Sequence, residues 1–92
     1  MNKLSGKHIG VLCGGWSDER PVSLDSGKSA YESLLSSNLN AFLFDFQYDD
    51  IDLLAKFIKS NDINLVLNLI HGSGGEDGLV QSYLDKLSIK YV

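Results

Sequence analysis

The chain has 92 residues, 43% hydrophobic and 22% charged, which suffices for one compact domain over residues 1–92 but not for two cores. Its formal net charge is -4 and its lysines are scattered, so the sequence predicts no nucleic-acid partner. No apolar run approaches the roughly 18 residues of a membrane span, residues 1–7 do not form a signal peptide, and the single Cys13 cannot form an internal disulfide, so we expect a cytoplasmic domain with no membrane contact.

The predicted strands and helices alternate along the chain. His8–Cys13 is a short, β-rich apolar run closed by two glycines, which predicts a buried strand. A helix is predicted over Pro21–Ser36, because proline suits the first helical turn and an apolar face follows at helical spacing. The next strand is predicted over Ala41–Phe46 and the next helix over Ile51–Ser60. The apolar face of the first helix consists of Leu24, Gly27, Tyr31, Leu34 and Leu35.

Three acidic residues, Asp49, Asp50 and Asp52, cluster at the start of the second predicted helix. Three neighbouring carboxylates can hold a metal ion. Capping and the helix dipole explain them without a metal, at roughly 0.3 to 1 kcal/mol for each charge. We therefore interpret the cluster as a helix start and predict no metal site in the chain.

The remaining sequence continues the alternation, with a strand predicted over Ile63–Ile70, an apolar helix face within 79–87 and a strand over Ile89–Val92. Alternating strands and helices with right-handed crossovers predict an α/β fold, a small doubly wound, Rossmann-like parallel sheet with helices on both faces. Such folds bind ligands beyond the carboxyl ends of their strands. The functional residues are therefore expected in the loops after the first and third strands.

Those two loops carry the motifs of the sequence. The first follows Cys13 and reads GGWSDERPVSL, and the second begins at His71 and reads HGSGGEDG. Neither is a phosphate-binding fingerprint, because the P-loop spacing fails and Asp77 stands where G-x-G-x-x-G needs its last glycine. Their order and separation resemble the two signature loops of the amino-terminal domain of D-alanine-D-alanine ligases, G-G-x-S-x-E-R-x-V-S-L-x-S-G and H-G-x-G-G-E-D-G-x-x-Q.

The resemblance implies the substrate-binding domain that precedes the ATP-grasp domains in a ligase of peptidoglycan synthesis. Such an enzyme uses ATP and Mg²⁺, with Mn²⁺ as an alternative ion, to phosphorylate one D-alanine, and the amine of a second D-alanine attacks the acyl phosphate. The resemblance also implies a homodimer through this domain. ATP and the metal would be held by the remaining domains of the same ligase, so the isolated fragment is expected to bind neither and to be inactive.

The same resemblance assigns catalytic roles to Glu19, His71 and Glu76. Glu19 would hold the ammonium of the first D-alanine. His71 would lie near its carboxylate, with Glu76 orienting the imidazole, and Val22 would touch its methyl group. The implied substrate-binding set is Glu19, Val22, Ser23, His71 and Gly72.

The sequence also departs from the family at four positions and leaves other interpretations open. Trp16 stands where the family more often has a small or polar residue, and Pro21 stands where it commonly has glutamate. Cys13 replaces leucine or phenylalanine, and Ser73 replaces a frequent arginine or lysine. Glu19 precedes a helix, so it can be a helix-end residue whose interaction with the helix dipole contributes roughly 0.3 to 1 kcal/mol. If it instead holds an ammonium about 4 Å away, the interaction energy is about 4 kcal/mol at an effective dielectric of about 20. His71 can be a loop histidine bonded to backbone. The whole chain can instead be a free-standing, non-catalytic α/β module that binds a small ligand or regulates.

Overall fold

The computed structural model describes residues 6–47, 50–70 and 78–92. Within these ranges four strands alternate with three helices, so the predicted α/β class is confirmed. The strands are β1 (His8–Gly14), β2 (Asn40–Phe46), β3 (Leu65–Asn68) and β4 (Lys90–Tyr91), and the helices are α1 (Arg20–Ser36), α2 (Ile51–Ser60) and α3 (Leu79–Lys86).

The sheet has the strand order β2-β1-β3-β4, and every neighbouring pair is parallel. Leu12 of β1 therefore lies opposite Phe44 on one side and Asn68 on the other. The chain leaves β1 toward one edge of the sheet and later returns past it to β3. Because parallel strands end at the same edge, the loops that follow β1 and β3 start side by side.

Helices cover both faces of the sheet, as a doubly wound fold requires. A Cβ atom at Gly10 would lie 2.9 Å from the Phe57 ring of α2. A Cβ atom at Gly27 of α1 would lie 2.5 Å from the Cβ atom of Cys13. Positions 10 and 13 point to opposite faces of β1 because side chains alternate along a strand. α1 and α2 therefore pack on opposite faces.

The main apolar core lies on the face covered by α2 and α3. Leu54 of α2 and Leu84 of α3 are fully buried there, and burial of each such side chain contributes about 1.5 to 3 kcal/mol. No helix among the described residues is long and apolar enough to cross a membrane. The buried cluster comprises Leu12, Phe46, Leu54, Ile58, Ile63, Val66, Ile70, Val80 and Leu84.

α2 spans the predicted residues, and its start supports the capping interpretation of the acidic cluster. Asp50 is its N-cap, and its Oδ1 accepts hydrogen bonds from the backbone N–H of Asp52 at 2.9 Å and of Leu53 at 3.4 Å. Asp52 lies in the first turn, where a carboxylate complements the helix dipole. Asp49 lies outside the described residues.

The third strand is shorter than the predicted Ile63–Ile70. Ile63 and Ile70 are both buried, but neither belongs to the ladder. The Ile63 N–H donates to the Ile58 carbonyl at 2.9 Å, which closes the end of α2. The Ile70 N–H donates to Oδ1 of Asn68 at 3.2 Å. The apolar run correctly indicated which residues are buried, but buried residues extend beyond the strand that pairs in the sheet.

The apolar face predicted for α1 is wrong in part. The buried residues of this helix are Ser23 and Gly27, whereas Leu35 is 44% exposed. The close approach of Gly27 to Cys13 sets the packing distance. The larger side chains of α1 flank that contact and bury only part of their surface.

Candidate functional site

Ser23 of α1 joins the end of β1 to the segment that follows β3. Its side chain is fully buried. Its Oγ accepts a hydrogen bond from the Gly14 N–H at 2.8 Å and donates one to the Leu69 carbonyl at 2.6 Å. These bonds use the hydroxyl hydrogen and one of its two lone pairs. The hydroxyl of Ser23 is thus enclosed and holds two backbone segments together, and the predicted substrate contact of Ser23 stays a prediction.

The loop after β1 turns directly over the end of β3. Gly14 and Gly15 have φ angles of 90° and 79°, a backbone region that favours glycine. The Gly15 N–H donates to the Phe46 carbonyl at 3.0 Å. A Cβ atom on Gly15 would lie 2.8 Å from Cγ2 of Ile70. The first signature loop therefore contacts the residue immediately before the second.

Glu19 is the N-cap residue of α1 and is exposed. Its side chain makes no capping hydrogen bond, and within the described part of the chain its carboxylate has no hydrogen-bond or ion-pair partner. Its backbone N–H donates to Oγ of Ser17 at 3.1 Å. The carboxylate is therefore held out at the carboxyl edge of the sheet by its backbone alone, and the capping bond that a purely structural role would use is absent.

Val22 adds apolar surface to the same helix start. Its side chain is 60% exposed although it lies in the first turn of α1. Residues three positions apart at the start of a helix lie on adjoining parts of one face, which brings Val22 near Glu19. Contact between Val22 and a substrate methyl group stays a prediction.

Four of the residues singled out in the second loop, His71, Gly72, Ser73 and Glu76, lie outside the described residues. Their predicted roles therefore stay predictions. The structure describes what flanks them: Ile70 is buried against the first loop, and Gly78 begins α3 with a φ angle of 88°.

An ion pair that the motif analysis missed fixes the first loop from the side. Arg20 donates from Nη1 to Oδ1 of Asp45 at 2.8 Å and from Nη2 to Oδ2 at 2.6 Å. Its Nη1 also donates to the Gly15 carbonyl at 3.1 Å. The sequence held one signal of this pair: Asp45 interrupts an apolar strand, and a charge in such a place requires a partner.

Cys13 lies opposite Asp45 in the pairing of β1 with β2. It is 1% exposed. Burial raises the pKa of its thiol, the Asp45 carboxylate raises that pKa further, and the Arg20 guanidinium opposes both. The interpretation of Cys13 as a small buried hydrophobe is confirmed.

The described residues do not fit the divalent ion that the family resemblance implies. Across residues 6–47, 50–70 and 78–92, no three histidine, cysteine, aspartate or glutamate side chains converge to hold a metal. We assign no metal ligand and no metal-dependent step to them.

These observations define a class of protein: a doubly wound α/β domain that carries, in the loop after its central strand β1, an exposed carboxylate with no partner among the described residues. No protein-family model matches the chain. Curated relatives do: the D-alanine-D-alanine ligase of Desulforamulus reducens is 43% identical over 84 residues, which is 90% of this chain and 26% of that protein. The ligase of Sinorhizobium fredii is 40% identical over 88 residues, 96% of this chain and 28% of that protein.

Solved structures give the same family. The D-alanine-D-alanine ligase of Bacillus anthracis, crystallised in complex with ATP, superposes with a TM-score of 0.68 at 31% identity and covers 94% of this chain and 28% of its own. D-alanyl-alanine synthetase A of Vibrio cholerae has a TM-score of 0.68 at 26% identity. The resemblance to the amino-terminal domain of D-alanine-D-alanine ligases is therefore confirmed, and the chain spans about a quarter of the length of those relatives.

Proposed function

We propose that this chain is the amino-terminal, substrate-binding part of an ATP-dependent ligase that joins two D-alanines into D-alanyl-D-alanine for peptidoglycan synthesis. The reaction passes through an acyl phosphate of the first D-alanine. That step requires ATP and Mg²⁺ held by parts of the enzyme outside this chain, together with which this domain forms the complete site. The sequence similarity to ligases over 90% or more of the chain supports this proposal.

The observation that carries the proposed role of this domain is the exposed carboxylate of Glu19, which has no partner within residues 6–47, 50–70 and 78–92. It lies in the loop after a central strand of a doubly wound sheet, where such folds bind ligands. A carboxylate there attracts an ammonium group, and the exposed Val22 beside it suits a methyl group. An α-amino acid as small as alanine carries both groups on one carbon atom.

Residues of the second loop complete the proposed site. His71 lies near the carboxylate of the first D-alanine, Glu76 orients its imidazole, and Gly72 allows the backbone to approach the substrate. The contact between Gly15 and Ile70 supports this proposal, because it starts the second loop directly beside the first. On the family resemblance we also propose a homodimer through this domain.

The test is Glu19→Gln in the complete enzyme. Glutamine keeps the shape of the side chain but removes the charge that faces the ammonium. Loss of a charge-assisted hydrogen bond worth about 1.5 to 3 kcal/mol lowers kcat/KM by roughly one to two orders of magnitude. We expect that loss at the first D-alanine site, with an unchanged Tm. Initial rates at varied D-alanine, analysed for two sites, measure it.

The matched control is Glu32→Gln, the same change at an exposed residue near the other end of α1. It should leave both D-alanine sites unaltered. If Glu19→Gln behaves like this control, Glu19 is only a helix-end residue and does not bind substrate. The free-standing module is distinguished more simply: a reading frame that continues past residue 92 into ATP-grasp sequence supports the ligase, and a stop codon directly after residue 92 supports the module.

A further inference from the structure

The Arg20–Asp45 ion pair connects the start of α1 to the end of β2. Arg20 is the first residue of α1, and Asp45 is the next-to-last residue of β2, the strand at the sheet edge. Each guanidinium Nη atom donates to a different carboxylate oxygen, Nη1 to Oδ1 at 2.8 Å and Nη2 to Oδ2 at 2.6 Å. This two-point geometry fixes the orientation of the arginine as well as its distance. The start of α1 is therefore clamped to β2.

The same guanidinium also fixes the loop. Its third bond, to the Gly15 carbonyl at 3.1 Å, holds the turn that leaves β1. Gly14 lies directly under the pair: a Cβ atom there would collide with Oδ1 of Asp45 and come within 2.7 Å of Nη1 of Arg20. The glycine thus leaves room for the clamp to sit against the strand end. Arg20 holds both the beginning and the end of the loop that leads to Glu19.

The backbone around Glu19 is held by two hydrogen bonds of its own and by the clamp at the next residue, Arg20. The Glu19 N–H donates to Oγ of Ser17 at 3.1 Å, and its carbonyl accepts the first helical bond from the Ser23 N–H at 3.0 Å. Its carboxylate has no partner among the described residues, so the place of that carboxylate follows the backbone that Arg20 helps to hold. The loop contains two adjacent glycines with positive φ, which allow many other conformations once they are released.

We propose that Arg20 and Asp45 are positioning residues that set the place of the Glu19 carboxylate at the first D-alanine site. This inference rests on the proposed function. Beyond the proposed function, we infer that substrate binding depends on an ion pair that does not itself touch the substrate. Since both partners are about two-thirds buried, with 30% and 34% of their side chains exposed, the pair is partly shielded from solvent and from salt.

The experiment is a double-mutant cycle in the complete enzyme between Asp45→Asn and Glu19→Gln. Asparagine is nearly isosteric but cannot accept both guanidinium bonds or carry the charge. We expect Asp45→Asn alone to lower kcat/KM for the first D-alanine roughly five- to a hundredfold, as a displaced binding group does. In the Glu19→Gln background the same change should have almost no further effect, since the group that it displaces is already disabled.

A matched control and a second variant make the outcome decisive. Asp25→Asn changes an exposed carboxylate elsewhere on α1 and should leave kinetics unchanged. Arg20→Lys keeps the charge but loses the two-point geometry, so it should repeat the Glu19-dependent loss if Asp45→Asn does not yield folded enzyme. Equal losses in both backgrounds, accompanied by a lower Tm, would show that the pair only stabilises the fold. If Glu19→Gln itself has no effect, the proposed function of Glu19 fails; if only Asp45→Asn and Arg20→Lys lack the expected pattern, this inference alone fails.

Discussion

The starts of α1 and α2 both carry an acidic N-cap residue, yet the two carboxylates are used differently. Asp50 turns back onto its own helix and accepts two backbone N–H groups. Glu19 makes no such bond, and its exposed side chain lies at the end of the loop that follows β1. Sequence position alone therefore does not show whether an acidic residue at a helix start caps that helix.

The way in which the two helices are held explains the contrast. α2 is fixed by its cap and by the buried apolar side chains of Leu54 and Ile58. α1 buries Ser23 and Gly27 instead, and is held by side-chain hydrogen bonds to neighbouring strand ends and by the Arg20–Asp45 pair. Because α1 does not need a local cap, the carboxylate at its start is available to a ligand.

Among the variants that test how the two helices are held, Ser23→Ala, which removes the buried hydroxyl, should lower the free energy of unfolding most. The Gly14 N–H and the Leu69 carbonyl each lose a buried partner, and we expect unfolding to become easier by about 1 to 3 kcal/mol. Urea denaturation followed by Trp16 fluorescence measures the change. Ser29→Ala, at an exposed serine of the same helix, is the control. An equal effect of the two variants would show that the hydrogen bonds of Ser23 contribute nothing measurable.

Asp50→Ala tests the other helix start. Loss of the cap should lower the free energy of unfolding by about 0.5 to 2 kcal/mol. Asp50→Asn should restore most of it, because an asparagine side-chain oxygen also caps a helix. Thermal unfolding of the two variants gives the comparison. If Glu19→Ala, measured in parallel, destabilised the chain as much as Asp50→Ala, the proposed difference between the two carboxylates would be wrong.

The smallest effect is expected at Cys13, the strand residue that Gly27 of α1 covers. Because burial raises the pKa of the folded thiol, its contribution to stability is fully present below the pKa of the unfolded thiol, about 8.5. That contribution declines as the pH rises above this value toward the folded pKa. The difference between the unfolding free energies of the parent chain and of Cys13→Ala, followed from pH 7 to 10, should therefore fall with increasing pH. A difference that does not change with pH would contradict the raised pKa.

The sequence predicts the bounds of an element well where the local signal is strong. α2 matches its predicted residues because an acidic cap and apolar residues at helical spacing agree over Ile51–Ser60. β3 was predicted too long because Ile63 and Ile70 are buried by contacts outside the strand ladder. The face of α1 was predicted in part wrongly because a glycine, rather than a leucine stripe, governs its approach to the sheet.

The sequence by itself determined the α/β class, the two loops that carry the motifs and their resemblance to D-alanine-D-alanine ligases, because periodicity and motif order are properties of the linear chain. Only the tertiary structure decided that Ser23 is enclosed between two backbone segments, that Arg20 clamps Asp45, and that Glu19 is left without a cap bond. The first two depend on atoms brought together from residues far apart in the chain, positions 23 and 69 and positions 20 and 45. Such contacts follow from the register of β1 with β2 and β3, which no local pattern of the sequence specifies.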